Sequence, residues 1–126
     1  MFLYLISCGD YVKIGITKNV YRRLAHIQTG NPLQCSIEHA WVVNERLAPR
    51  MERQAHDLLK YLHVRLEWFK ATPKFAKDCA RSAILFIEQE QARVAELLGD
   101  DPVVIPFEPA RSAGIRVIDA HTGRVE

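Results

Sequence analysis

The sequence predicts an α+β domain. Two β-rich runs lie a tight turn apart near the N-terminus, a third strand-like run follows a short helix, and two later segments repeat apolar residues at helical spacing. The chain has 126 residues, 48% hydrophobic and 25% charged, the proportions of one globular unit. A chain of this size removes roughly two thirds of its unfolded surface from water, so its core needs no disulfide or structural metal.

Residues 2–7 and 11–17 read as the two arms of a hairpin around Cys8, Gly9 and Asp10. A two-residue loop (Cys8, Gly9) or a four-residue loop (7–10) sets Tyr4 opposite Lys13 and Gly15 opposite Phe2. A three-residue loop separates the pair. The next element is a helix capped by Asn19, with Val20, Leu24 and Ile27 on one stripe, ended by Gly30, Asn31 and Pro32. Residues 35–44 read as a third strand. A second helix is expected from about residue 49 to 62, with Met51, Ala55, Leu58 and Leu62 as its buried face. A third, longer helix is expected over 73–98 through Phe75, Cys79, Ile84, Ile87 and Val94, stopped by Gly99 and the acidic pair Asp100 and Asp101. Residues 100–126, with three prolines, read as an extended or partly disordered tail that holds a short strand at 115–118. The expected organisation is therefore a core over 1–72, a helix over 73–99 packed on it or used for self-association, and the tail.

Charge is unevenly placed. Residues 1–70 hold ten Lys/Arg against six Asp/Glu, and residues 71–126 hold seven against nine. A basic N-terminal part suits an anionic partner such as nucleic acid, although a solvated basic face explains the same count. Three cysteines without close spacing exclude a Cys-x-x-Cys metal knuckle and point to a reducing, cytoplasmic setting. No apolar run approaches the ~18 residues of a membrane span, and the first residues lack the basic region of a secretory signal.

Three groups carry candidate chemistry. Tyr4 and Lys13 share a face of the hairpin. Arg23 falls on the inner stripe of the first helix, between Val20 and Ile27, whereas Arg22 points outward. Its guanidinium either meets an anion at the sheet or forms a structural pair. Glu52 sits on the rim of the second helix with His56 one turn later. Zinc asks for three or four protein ligands and no convincing third is present. A hard divalent cation held by one carboxylate, waters and a phosphate asks less, and a local pair of Glu52 with Arg53 or Lys60 is the plain alternative.

In order along residues 1–70 come Tyr4-Leu5-Ile6, Lys13-Ile14-Gly15-Ile16-Thr17, Arg23-Leu24, Gln28-Thr29-Gly30-Asn31-Pro32, Glu52 with His56, and Glu67-Trp68-Phe69. This series resembles the GIY-YIG nuclease superfamily, in the branch whose second motif begins with Lys and which ends in Glu-Trp-Phe, often found in phage and bacterial proteins. The resemblance implies one small three-stranded antiparallel sheet flanked by helices. It also implies a metal-dependent endonuclease on DNA. The chain is too short for a large separate reader domain, so single-stranded or branched DNA is favoured over a long recognition sequence. Tyr4 is then the general base and Arg23 the phosphate ligand. Glu52 holds one Mg²⁺ or Mn²⁺, and Lys13 and His56 assist. Gly15, Trp68, Arg22 and His26 lie toward the substrate. An ordinary phenol has a pKa of ~10, so ionising it at neutral pH takes about 4 kcal/mol, and Lys13 and the metal are the sources expected to supply it. For Glu67-Trp68-Phe69 the sequence favours aromatic packing with Glu67 paired locally over a base-stacking role for Trp68. Many relatives carry a histidine or tyrosine where this chain has Ile27. That departure keeps a competing reading in play, a catalytically weak nucleic-acid-binding module with the same fold.

Overall fold

The fold is described from a computed structural model, which covers residues 1–98 and the backbone of 116–118. The strands are β1 (Phe2–Cys8), β2 (Tyr11–Thr17), β3 (Cys35–Val42), β4 (His63–Arg65) and β5 (Trp68–Lys70), and the helices are α1 (Val20–Gln28), α2 (Ala48–Leu58) and α3 (Pro73–Leu97). A 3-10 turn at Lys60–Leu62 joins α2 to β4.

All five strands form one antiparallel sheet in the order β4-β5-β2-β1-β3, and a short β6 (Arg116–Ile118) continues it beyond β3. The core sheet therefore has five strands rather than the expected three. The two extra strands are a hairpin only three residues a side, too short for an alternating pattern to announce itself. The other tail residues, and the stop expected at Gly99 to Asp101, lie outside the described part.

Alternation along the strands divides the sheet into two faces. Leu3 and Leu5 of β1, Val12 and Ile14 of β2, Trp41 of β3 and Phe69 of β5 face α2 and α3 and form the larger core. Tyr4, Ile6 and Cys8 face the other way with Cys35, Ile37 and Ala40, and α1 covers this smaller cluster with Val20, Leu24 and Ile27.

Two helical stripes differ from expectation. On α2 the buried line is Ala48, Met51 and Ala55, continued by Leu59, while Leu58 and Leu62 are exposed. Leu59 continues that line at i+4 from Ala55, to whose carbonyl its N–H still bonds, and the 3-10 turn that follows takes Leu62 out of phase. On α3 the buried line is Ala76, Cys79, Ala80, Ala83, Ile84 and Ile87, whereas Phe75 and Val94 are exposed. Alanines let the helix lie close to α2 and the sheet, so the inward side is the small one. None of the helices among the described residues is long and apolar enough to cross a membrane.

Candidate active site

The β1–β2 turn sets the site's register. The turn residues are Gly9 and Asp10, with Gly9 at φ 61, and Cys8 pairs with Tyr11. The hairpin is thus displaced by two residues from either expected loop. Tyr4 stands opposite Gly15, Lys13 opposite Ile6 and Phe2 opposite Thr17. Because a shift of two preserves the side-chain alternation, Tyr4, Lys13 and Gly15 still share the α1 face, with Lys13 diagonal to Tyr4. The ring of Tyr4 lies across Gly15. A Cβ at that glycine would sit 2.6 Å from the Tyr4 Cζ, closer than packed atoms allow.

Tyr4 is 1% exposed. Burial pushes its phenol up to about 12. The Arg23 guanidinium works against the rise, and the Glu67 and Glu52 carboxylates add to it. The Lys13 ammonium is bound to Glu67 at 2.7 Å. The phenol is thus raised where the expected role called for it to be lowered, and Tyr4 is neutral near pH 7.

Arg23 is brought to the site by α1. The Asn19 side chain accepts a hydrogen bond from the Arg22 backbone N–H at 2.9 Å, which fixes the helix start. Val20, Leu24 and Ile27 then face the sheet. Arg23 is exposed, yet its charge acts on both Tyr4 and Glu67. Arg22 and His26 are also exposed and influence none of the shifted groups.

Glu52 and His56 come from α2, which packs against the opposite face of the sheet. They reach the site through a gap. Strand β5 pairs only with Tyr11, Val12 and Lys13, so the same side of β2 has no strand beside residues 14–17. His56 Nε2 lies 2.7 Å from the Ile14 carbonyl, so this nitrogen carries the proton and donates. Glu52 interacts with the Ile16 backbone N–H. Burial raises the Glu52 carboxyl, His56 opposes the rise, Glu67 adds to it, and Ile16 and Lys13 oppose it.

The remaining charged member, Glu67, is the residue that sequence reasoning missed. It follows Leu66, at φ 52, in the β4–β5 turn. Lys13 holds its carboxyl below the usual range, with burial acting the other way and His56 and Arg23 assisting Lys13. Its partner is distant in sequence, not local. The signal lay in the next two residues. Phe69 pairs with Val12 on the core face, so Trp68 pairs with Lys13 on the other, which places Glu67 beside the ammonium. Trp68 packs with the Tyr4 cluster, and the Lys13 Nζ lies 5.5 Å from its ring centroid.

Six groups from β1, β2, α1, α2 and the β4–β5 turn thus share one electrostatic neighbourhood: Tyr4, Lys13, Arg23, Glu52, His56 and Glu67. Beside Lys13 and Trp68, bounded by the 29–32 turn, lies a hollow of about 470 Å³. Among the described residues, no cluster of three or more His, Cys, Asp or Glu side chains could hold a metal ion. Glu52, which forms no ion pair at contact distance, is the donor that suits a hard cation completed by water and phosphate oxygens.

Compared with known families, the chain matches the family described as T5orf172 domain over residues 1–84. No curated protein and no solved structure matches it.

Proposed function

From the premise that the chain belongs to the T5orf172 domain family, a nuclease-like family, we propose that it is a metal-dependent endonuclease of GIY-YIG type that hydrolyses phosphodiester bonds in single-stranded or branched DNA. The observation that carries this reading is the meeting of a buried phenol, a guanidinium and a carboxylate, delivered by three different elements, within one electrostatic neighbourhood.

Each group has a part that its surroundings allow. Arg23 is exposed, so its guanidinium is available to bind the scissile phosphate and to counter charge developing on its oxygens. Lys13 offers a second cation to the same phosphate, in competition with Glu67. Glu52 would hold a Mg²⁺ or Mn²⁺ ion, which when bound polarises the phosphate and stabilises the departing 3′ oxygen. Tyr4 would accept the proton of the attacking water as the phenolate, after releasing its own proton to solvent. With the phenol at about 12, that role at neutral pH takes about 7 kcal/mol, most of which must come from the loaded site and not from Lys13. His56 is a positioning residue, since its donor is committed to Ile14.

The competing reading, a binding module that does not cut, is favoured by the same raised phenol and by Ile27, whose side chain packs into the Tyr4 cluster where a polar donor would otherwise stand. Cleavage assays with Mg²⁺ or Mn²⁺ on single-stranded, duplex and flap DNA separate the two. The nuclease reading expects a loss of at least 100-fold for Tyr4→Phe and for Glu52→Gln, with DNA binding retained, as for removal of a proton acceptor or metal ligand. Binding without metal-dependent cutting in the unmodified chain would establish the second reading.

A further inference from the structure

A second hollow, of about 220 Å³, opens beside Trp68, and Lys13 is not part of its lining. Its walls are Tyr11 and Cys8 from the first hairpin, Leu33 and Asn31 from the α1–β3 turn, and Val64 with Arg65 from β4. We propose that it is a pocket for one unpaired nucleobase of the strand whose phosphate is held at Lys13 and Arg23. The inference rests on the DNA reading above and adds a subsite to it.

Four observations support this occupant. The pocket is continuous with the candidate active site through Trp68 and Asn31, which line both hollows. It is smaller than the ~300 Å³ at which pockets for drug-sized ligands begin, a size for one ring system and not for a base pair. Two aromatic rings, Tyr11 and Trp68, and two aliphatic side chains supply the flat apolar contact that suits the π-face of any base. Arg65 places positive charge in the wall, and Lys13 lines the adjoining hollow, where the sugar-phosphate chain of that base would run.

The wall is also pre-formed and keeps one donor in hand. Gln28 holds the turn at three points: its Nε2 donates to the carbonyls of Asn31 at 3.2 Å and Leu33 at 2.9 Å, and its Oε1 accepts from the Cys35 N–H at 2.8 Å. Asn31 Oδ1 accepts from the Leu33 N–H at 3.1 Å and from the Cys8 thiol at 3.3 Å. Its Nδ2 finds no partner among the described residues and lies at the pocket, a fixed donor for an oxygen or ring nitrogen on the base edge. A base in a duplex must leave its stack to enter, at a cost of a few kcal/mol, so the pocket selects unpaired strands.

Trp68 is one of two tryptophans, and the other, Trp41, is fully buried and out of reach of a bound base, so a base-dependent change on top of its constant emission reports Trp68. The full chain is titrated in EDTA with a ten-nucleotide deoxythymidine strand and with the same strand built from abasic residues. The base-bearing strand should quench Trp68 and bind about tenfold or more tighter, as one stacked base allows. Val64→Phe, which fills the pocket from an exposed position, and Tyr11→Ala, which removes one stacking wall, should each remove that advantage and leave abasic binding unchanged. Equal affinity for the two strands, absence of quenching, or equal weakening of both strands by both variants overturns the pocket. Cleavage with Mn²⁺ is measured separately. Cutting without base preference keeps the nuclease and removes the pocket, whereas base-dependent quenching without cutting does the reverse.

Discussion

Tyr4 and Gly15 are two sides of one contact. The phenol ring occupies the space that a Cβ at residue 15 would take, and at 1% exposure it has no route aside. Gly15→Ala should therefore lower stability by ~1–3 kcal/mol through overpacking, and should lower cleavage further because the displaced group is the proposed base. Chemical denaturation and turnover measured on the same preparation check both. Tyr4 also makes a pH prediction whose sign follows from its folded pKa lying above the unfolded one. Burial holds the phenol at about 12 against ~10 in the unfolded chain, so stability is intact below pH 10 and falls as pH rises from there toward 12. Tyr4→Phe should flatten that alkaline limb of a melting-temperature profile. That Tyr4, Lys13 and Gly15 share one sheet face was legible in the sequence, because the register differs from the expected one by two residues and an even shift preserves alternation. The identity of the lysine's partner was not. An ion pair across 54 residues depends on the β4–β5 turn, which no local pattern specifies.

The helices show what periodicity resolves and what it does not. The α1 stripe and its Asn19 cap followed directly from spacing. The inward line of α2 was misread at Leu58 because Leu58 and Leu59 stand at i+3 and i+4 from Ala55, both compatible with a helical stripe, and it is Leu59 that enters the core. On α3 the alanine face lost to larger apolar residues in the sequence reading, although close helix packing prefers small ones. That helix also carries Glu88 into a buried position, where desolvation raises its carboxyl. The neutral form is favoured on folding, so Glu88 destabilises the fold at pH values above the ordinary carboxylate range of ~4.3 and has no such effect below it. Glu88→Gln should raise the melting temperature by a few degrees at pH 7, and the gain should vanish below about pH 4.

At the scale of the whole molecule, the sheet separates two duties. One face is spent on the core with α2 and α3, and the other presents the phenol, the cations and the nucleobase pocket beside α1. The class of fold and the face of the site were readable from the first 70 residues. The size of the sheet was not, because three-residue strands exist only by virtue of what they pair with.

The gap in that sheet has a consequence of its own. Residues 14–17 of β2 present backbone groups on a side where strand β5 has already ended, and Glu52 and His56 occupy that stretch. An unpaired strand side is a template on which a second chain can add a strand. The proposed metal ligand and the positioning histidine therefore also act as a stopper against intermolecular β-association. A doubly truncated Glu52→Ala, His56→Ala chain should self-associate with rising concentration in light scattering, while Glu52→Gln, which keeps an oxygen for the Ile16 N–H, should stay as dispersed as the unmodified protein.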